Sequence, residues 1–243
     1  MTGGVFSMMF DDYSKEQVKL LAILSGVMML AIFAANIAAV KLWDLWGIAV
    51  DGGLIIFPLT YIVGDILVEL YGQKMANFVS IVATIANVII IGLMVIVVML
   101  PAYPNWEGQT EFQNVVFSSL RITAASLIGF LFSQLTNNMS FRKIKYNQWL
   151  KQRYDDEEQY YEDMDVRHYK TRALLSSMLG RLVDNALFET IAFLGVLSTG
   201  EFLLQAVMAY IEGFVVEFLL IAFVSQPLVR LCRHYTNTDY YGF

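Results

Sequence analysis

Two carboxylates and a phenol recur at helical spacing in YIVGDILVELYG, residues 61–72. Tyr61, Asp65 and Glu69 stand at i, i+4 and i+8, so a helix puts all three on one stripe. A second stretch, SSMLGRLVDNALFETIAFLG, sets Arg181 three residues before Asp184 and four before Asn185. Asn185 and Glu189 are again four apart, with Phe188 beside them. Both stretches are otherwise apolar, and an ionisable group at bilayer depth costs roughly 2.5–3.5 kcal/mol on insertion scales. Such groups turn toward a bundle interior, a partner or water. Aligned carboxylates, amides and a guanidinium around a polar hollow would suit a solute that offers several N–H donors. The structural reading stays open beside it: Glu69 reaching the interface, Asp65 paired with a base, and Arg181 with Asp184 as a self-neutralising clamp.

Further polar residues fall inside apolar runs. Asn36 and Gln134 are candidate ligands, or interhelical hydrogen-bond glue of about 0.6–2 kcal/mol each. Glu217 sits well inside an apolar run, and a carboxyl so placed is a candidate for proton coupling. Asn87 reads as packing glue, and Ser133 and Asn137 add polarity near Gln134.

The elements that must position these residues are membrane helices. The chain has 243 residues, of which 57% are hydrophobic and only 16% charged. Soluble domains carry roughly 25% charged residues. Six hydrophobic segments run at about 17–41, 53–71, 75–100, 115–137, 172–198 and 202–231, with a charged insertion at about 138–171. Each is long enough, at 1.5 Å per residue, to cross a hydrocarbon core of about 30 Å. The runs lack the period-2 alternation of a membrane barrel, and backbone groups in lipid must pair internally, so helices are expected. The fold class is therefore an all-α integral membrane protein of six transmembrane helices, read as one transporter domain over 1–243. Gly52-Gly53 and Phe57-Pro58 predict a short re-entrant or extended segment, GIAVDGG, before the second helix. Pro227 is expected to kink or end the sixth segment.

Lys15, Lys19, Lys74, the basic residues of the insertion, Arg230 and Arg233 fall on one side if both termini are inside; the outer loops offer only Lys41. That asymmetry predicts N-in, C-in topology. Trp43, Trp46 and Trp106 then fall near the outer boundary and Trp149 near the inner one. The insertion is basic, then acidic, then basic, and reads as a solvated helix or loop, or as a docking site for a soluble partner. The N-terminus has no basic region followed by a cleavable apolar core, so no signal peptide is expected.

A formal charge of −6 and the lack of a basic aromatic stripe argue against nucleic acid as a partner. Cys232 is the only cysteine, and His168 and His234 stand far apart, so neither a disulfide nor a Cys/His metal site is expected. No cofactor is expected.

FPLTYIVGDILVELYGQK resembles the signature of the VUT family, the queuosine precursor transporters. ANIAAVK, LFSQLTNN and LGRLVDNALFETIAFLG agree with it. The family pattern in the fifth segment is matched at Ser176, Asp184, Phe188, Ile191, Ala192 and Phe193; Arg181 stands at its Gln position and Asn185 at its Thr position. Asn137 stands where the family shows an acid. The resemblance implies uptake of 7-deazaguanine bases such as preQ0 or preQ1 across the cytoplasmic membrane. A guanine-like edge sets an N–H beside an NH2, which one carboxylate can accept together. Its carbonyl wants a donor from Gln134, Asn36 or Arg181, and its faces want an aromatic such as Tyr61 or Phe188.

The leading function is thus a small-solute uptake transporter whose partners are a purine-like solute and membrane lipid, with a homodimer allowed. One alternative is the substrate-binding component of a larger transporter driven by a partner ATPase module. Another is an intramembrane protease with Asp65 and Asp184 as a carboxylate dyad, opposed by Arg181, which would hold Asp184 ionised. The protein is not expected to be an enzyme.

Overall fold

The computed structural model describes residues 13–45, 48–117, 120–152, 160–193 and 199–236. Trp46, Arg153 and the acidic run 153–159 lie outside them. Helix α1 (Lys15–Ala38) starts at Ser14, whose hydroxyl accepts from the Gln17 N–H while the Gln17 side chain accepts from the Ser14 N–H. This reciprocal cap satisfies two backbone donors that a helix start leaves open. A small antiparallel hairpin follows, β1 (Leu42–Leu45) and β2 (Ile48–Asp51), with Leu42 opposite Asp51 and Leu45 opposite Ile48. It lies in the stretch where the sequence predicts an extended segment. The short helix α2 (Gly53–Ile56) leads through Phe57 into α3 (Pro58–Val98).

Helix α3 is two helices joined at Gly72, whose φ of 77° and ψ of 165° are open essentially to glycine alone. That residue separates the second and third hydrophobic segments. After α4 (Gln109–Phe117) come α5 (Leu120–Gln152) and α6 (Tyr160–Phe193), then α7 (Thr199–Leu220). A π-helical turn, Ile221–Ser225, joins α7 to α8 (Gln226–Thr236). Pro227 explains the widened turn. Its ring opposes the carbonyl four residues back and supplies no N–H, so the chain bulges there and the helix continues to Thr236 instead of ending.

Side-chain contacts fix how the passes run. Tyr61 meets Ser133 and Asp65 meets Asn137, so the first limb of α3 runs parallel to α5. Gln73 meets Arg142 and Asn77 meets Asn138, so the second limb runs antiparallel to α5. Phe141 meets Tyr169 and Asn137 meets Ser177, so α6 runs back along α5. Arg181 meets Glu217 and Tyr169 meets Ser225, so α7 and its π turn reverse again. Tyr71 meets Gln17 and Ser126 meets Asn36, so α1 runs antiparallel to the first limb of α3 and to α5, and among the described residues the chain makes six consecutive passes of alternating direction. Lys15, Gly72, Gln152, Tyr160 and Thr236 share what we call the near end; Ala38, Val98 and Leu120 lie at the far end.

The core is apolar with polar groups set into it, and the outer surface, unlike that of a water-soluble protein, is apolar too. Every residue from Thr60 to Tyr71 is buried, so the first limb of α3 is the central helix. Its neighbours present apolar side chains outward at i, i+4 spacing: Leu203, Val207, Ile211 and Val215 on α7, and Leu175 and Leu179 on α6. A shell this continuous calls for a hydrocarbon solvent. Among the described residues three helical stretches, Lys15–Ala38, Gly53–Val98 and Ala206–Thr236, are long and apolar enough to cross a membrane by length and composition.

The insertion at 138–171 needs correction. Apart from the residues not described, it is the continuation of α5 to Gln152 and the beginning of α6 at Tyr160. Asn138, Phe141, Lys145 and Tyr169 are buried in the bundle, which is why these stretches stay helical beyond the apolar runs.

Candidate functional site

The central helix brings its stripe inward: Tyr61 and Asp65 are wholly buried and Glu69 nearly so. The three are separated by about 6 Å per four residues of helical rise, which places them at different depths. Two polar clusters result.

The first surrounds Tyr61 and Asp65. The Tyr61 hydroxyl donates to Ser133 Oγ at 3.1 Å. The Asn137 amide donates to Asp65 Oδ1 at 2.9 Å and accepts from Ser177 at 3.5 Å. Asp65 thus pairs with an amide rather than a base. Asn137 offers its N–H to one carboxylate oxygen and holds the group as an acceptor. On the opposite side Arg181 donates from Nε to Glu217 Oε2 at 2.8 Å, and its guanidinium lies 5.7 Å from the Tyr61 ring centre. This bridge crosses from α6 to α7, so Arg181 ties two helices together while Asp184 stays close enough to act on it electrostatically. Asp184 lies against Gly129 of α5, where an added Cβ would be 2.6 Å from its carboxylate.

Glycines make the cluster possible. A Cβ on Gly64 would overlap the Gln134 amide, and one on Gly213 would overlap the Arg181 guanidinium. One on Gly180 would stand 3.0 Å from both the Tyr61 ring and the Ser133 carbonyl. Small residues let helices approach closely where no hydrophobic effect drives them together. The cluster is also incompletely satisfied. Asp65 Oδ2, Gln134 Oε1, Glu217 Oε1 and Arg181 Nη2 are buried and have no hydrogen-bond partner among the described residues. A buried polar group without a partner costs roughly 1–3 kcal/mol, so each of the four demands an explanation.

The second cluster lies toward the near end. Glu69 accepts from Arg172 at 2.6 Å, takes Lys145 at 3.4 Å and is bonded by Arg233. Arg172 is itself wholly buried, 5.4 Å from the ring centres of both Phe141 and Tyr169. Glu69 therefore does not reach for the interface. It binds α5, α6 and α8 to the central helix.

The remaining sequence candidates lie elsewhere. Asn36 accepts from Ser126 at 2.6 Å, between α1 and the far half of α5. Asn185, Phe188 and Glu189 follow Asp184 along α6 toward the far end, with Glu189 buried. Sequence reasoning missed Ser177 and the role of Lys145, Arg172 and Arg233. The last three look like topology-setting surface charges until the fold turns them inward. Their signal was faint: a buried lone acid requires a base, and Arg172 opens the fifth apolar run.

The profile of the family described as "Putative vitamin uptake transporter" matches residues 51–231, about three quarters of the chain. The protein belongs to the VUT family of vitamin-type uptake transporters. Neither a curated protein nor a solved structure matches the chain. The matched range of this VUT protein opens at the end of the β hairpin and closes within α8, so it takes in the Tyr61–Asp65 cluster and Glu69 with Lys145 and Arg172, while Arg233 lies two residues beyond it.

Proposed function

We propose that the protein is an uptake transporter for 7-deazaguanine bases such as preQ0 and preQ1, crossing the cytoplasmic membrane six times with both termini inside. The six alternating passes and the basic residues of the near end support that topology, with the near end cytoplasmic. The observation that carries the substrate reading is that four buried atoms on the central helix and on the helices packed against it have no partner among the described residues: Asp65 Oδ2, Gln134 Oε1, Glu217 Oε1 and Arg181 Nη2. They make three acceptors and one donor. A guanine-like edge has the complementary set, an N–H and an NH2 to give and a carbonyl to receive.

In this reading Asp65 accepts from the N–H and NH2 edge, Arg181 donates to the carbonyl, and the Tyr61 ring covers one face. Asn137 keeps Asp65 an acceptor, which selects for a donating edge. A base lacking the exocyclic amine would leave a buried acceptor unmet, and such sites reject the wrong analogue strongly. Glu69, engaged by three cations, braces the pocket from below.

A thermal-shift titration of the purified protein tests this. 7-deazaguanine should raise the melting temperature, 7-deazaadenine should not, and Asp65→Asn should remove the response. A wild-type protein indifferent to every deazapurine, with no uptake of labelled base when reconstituted alone in liposomes, overturns the reading.

A further inference from the structure

We infer that the Glu69 cluster is the inner gate of the transport path, and that α8 is the element that swings to open it. The inference rests on the transporter reading but not on the identity of the solute.

Three observations combine. Glu69 lies one helical turn from Asp65 on the near-end side, where a solute leaving the Tyr61 cluster toward the cytoplasm must pass. At that level its carboxylate is gripped by cations from α5, α6 and α8 at once. The knot therefore closes the path by holding three helices onto the central one. The grip of α8 is also the most releasable. Arg233 is the most exposed of the three cations, with 13% of its side chain accessible against 4% for Lys145 and none for Arg172. Finally, α8 hangs from the π turn Ile221–Ser225, where the regular hydrogen-bond ladder is already broken ahead of Pro227. Such turns concentrate at functional sites and give a helix a place to bend.

The same continuous stretch joins the gate to the solute. Glu217 lies just before the π turn and holds Arg181; Arg233 lies after it and holds Glu69. A solute carbonyl that draws Arg181 away from Glu217 loosens α7 above the bend, and α8 can then rotate Arg233 off Glu69. The path opens inward only when the site is occupied or just vacated. A carrier needs that order to avoid a leak.

The lone thiol reports the motion. Cys232 is buried and adjacent to Arg233. In inverted vesicles, a membrane-impermeant maleimide should label wild-type Cys232 slowly. Arg233→Gln should raise that rate at least tenfold. Arg233→Lys, which keeps the charge, should stay near wild type, and so should Leu231→Ala on the exposed face of the same helix. An unchanged rate in Arg233→Gln, or an equal rise in Leu231→Ala, overturns the proposal. These outcomes are independent of whether any deazapurine binds, so the gate and the substrate reading fail separately.

Discussion

The two buried polar clusters sit on one helical stripe, yet they are built on opposite principles. Around Glu69 a single carboxylate is surrounded by Lys145, Arg172 and Arg233. Around Asp65 the carboxylate has one amide, and one of its oxygens is left bare, as are atoms of Gln134, Arg181 and Glu217. The first cluster spends most of its polarity on holding helices together: even Glu69 Oε2, which accepts no hydrogen bond among the described residues, has the Lys145 ammonium 3.4 Å away. The second keeps some in reserve. In a low-dielectric interior a reserved donor or acceptor is costly, so a fold keeps it where a ligand will complete it. Stability and function should therefore separate when the two acids are changed in turn.

The largest effect is expected from Glu69→Ala. Removing one partner of a buried ion cluster leaves charge uncompensated, at a cost of about 3–5 kcal/mol. Thermal denaturation of the purified protein should show it as a large drop in melting temperature, or as failure to accumulate. If the variant melts like wild type, the cluster is not structural and the contrast collapses. Gly72→Ala comes next, at roughly 1–3 kcal/mol, because an L side chain scarcely tolerates that backbone conformation. The same melting measurement checks it, and an unchanged midpoint would mean that the reversal between the limbs of α3 is not fixed at Gly72.

Asp65→Asn should do the reverse of Glu69→Ala. It keeps shape and removes charge where the fold does not depend on it, so the melting point should hold while uptake falls tenfold or more, about 1.4 kcal/mol of binding. Uptake of labelled base into liposomes decides. Equal loss of stability in both acid variants would erase the distinction between brace and pocket. Tyr61→Phe should be the mildest, since it keeps the ring and loses only the bond to Ser133; a deficit of about 1 kcal/mol, roughly fivefold in affinity, is expected. A loss as large as that of Asp65→Asn would make the hydroxyl, rather than the ring face, the group that meets the solute.

Much of this architecture was legible beforehand because it follows from local rules. The spacing of Tyr61, Asp65 and Glu69 put them on one helical stripe, although the whole turn-by-turn surface from Thr60 to Tyr71 is buried and every face of that helix meets a neighbour. Gly72 fell between two apolar runs, and the chain reverses there. The limits of α5 and α6 were not legible, because a polar run in a sequence looks the same whether it is exposed or buried. Asn138, Lys145 and Arg172 are polar, and all three are buried. Hydropathy records what a side chain costs in lipid; it cannot record a partner that cancels the cost.

The partner of Arg181 shows the same limit. Along the chain Asp184 is the nearest acid, and an i, i+3 pairing is the natural reading. In the fold Arg181 turns to Glu217, because Gly213 leaves room on α7 for the guanidinium. By itself, then, the sequence determined which stretches are helical and apolar, and which acids share a stripe, since those depend on residue type and a fixed period. Only the tertiary structure decided which base each acid meets. That choice rests on contacts between residues 36 to 164 positions apart, and no local rule reaches so far.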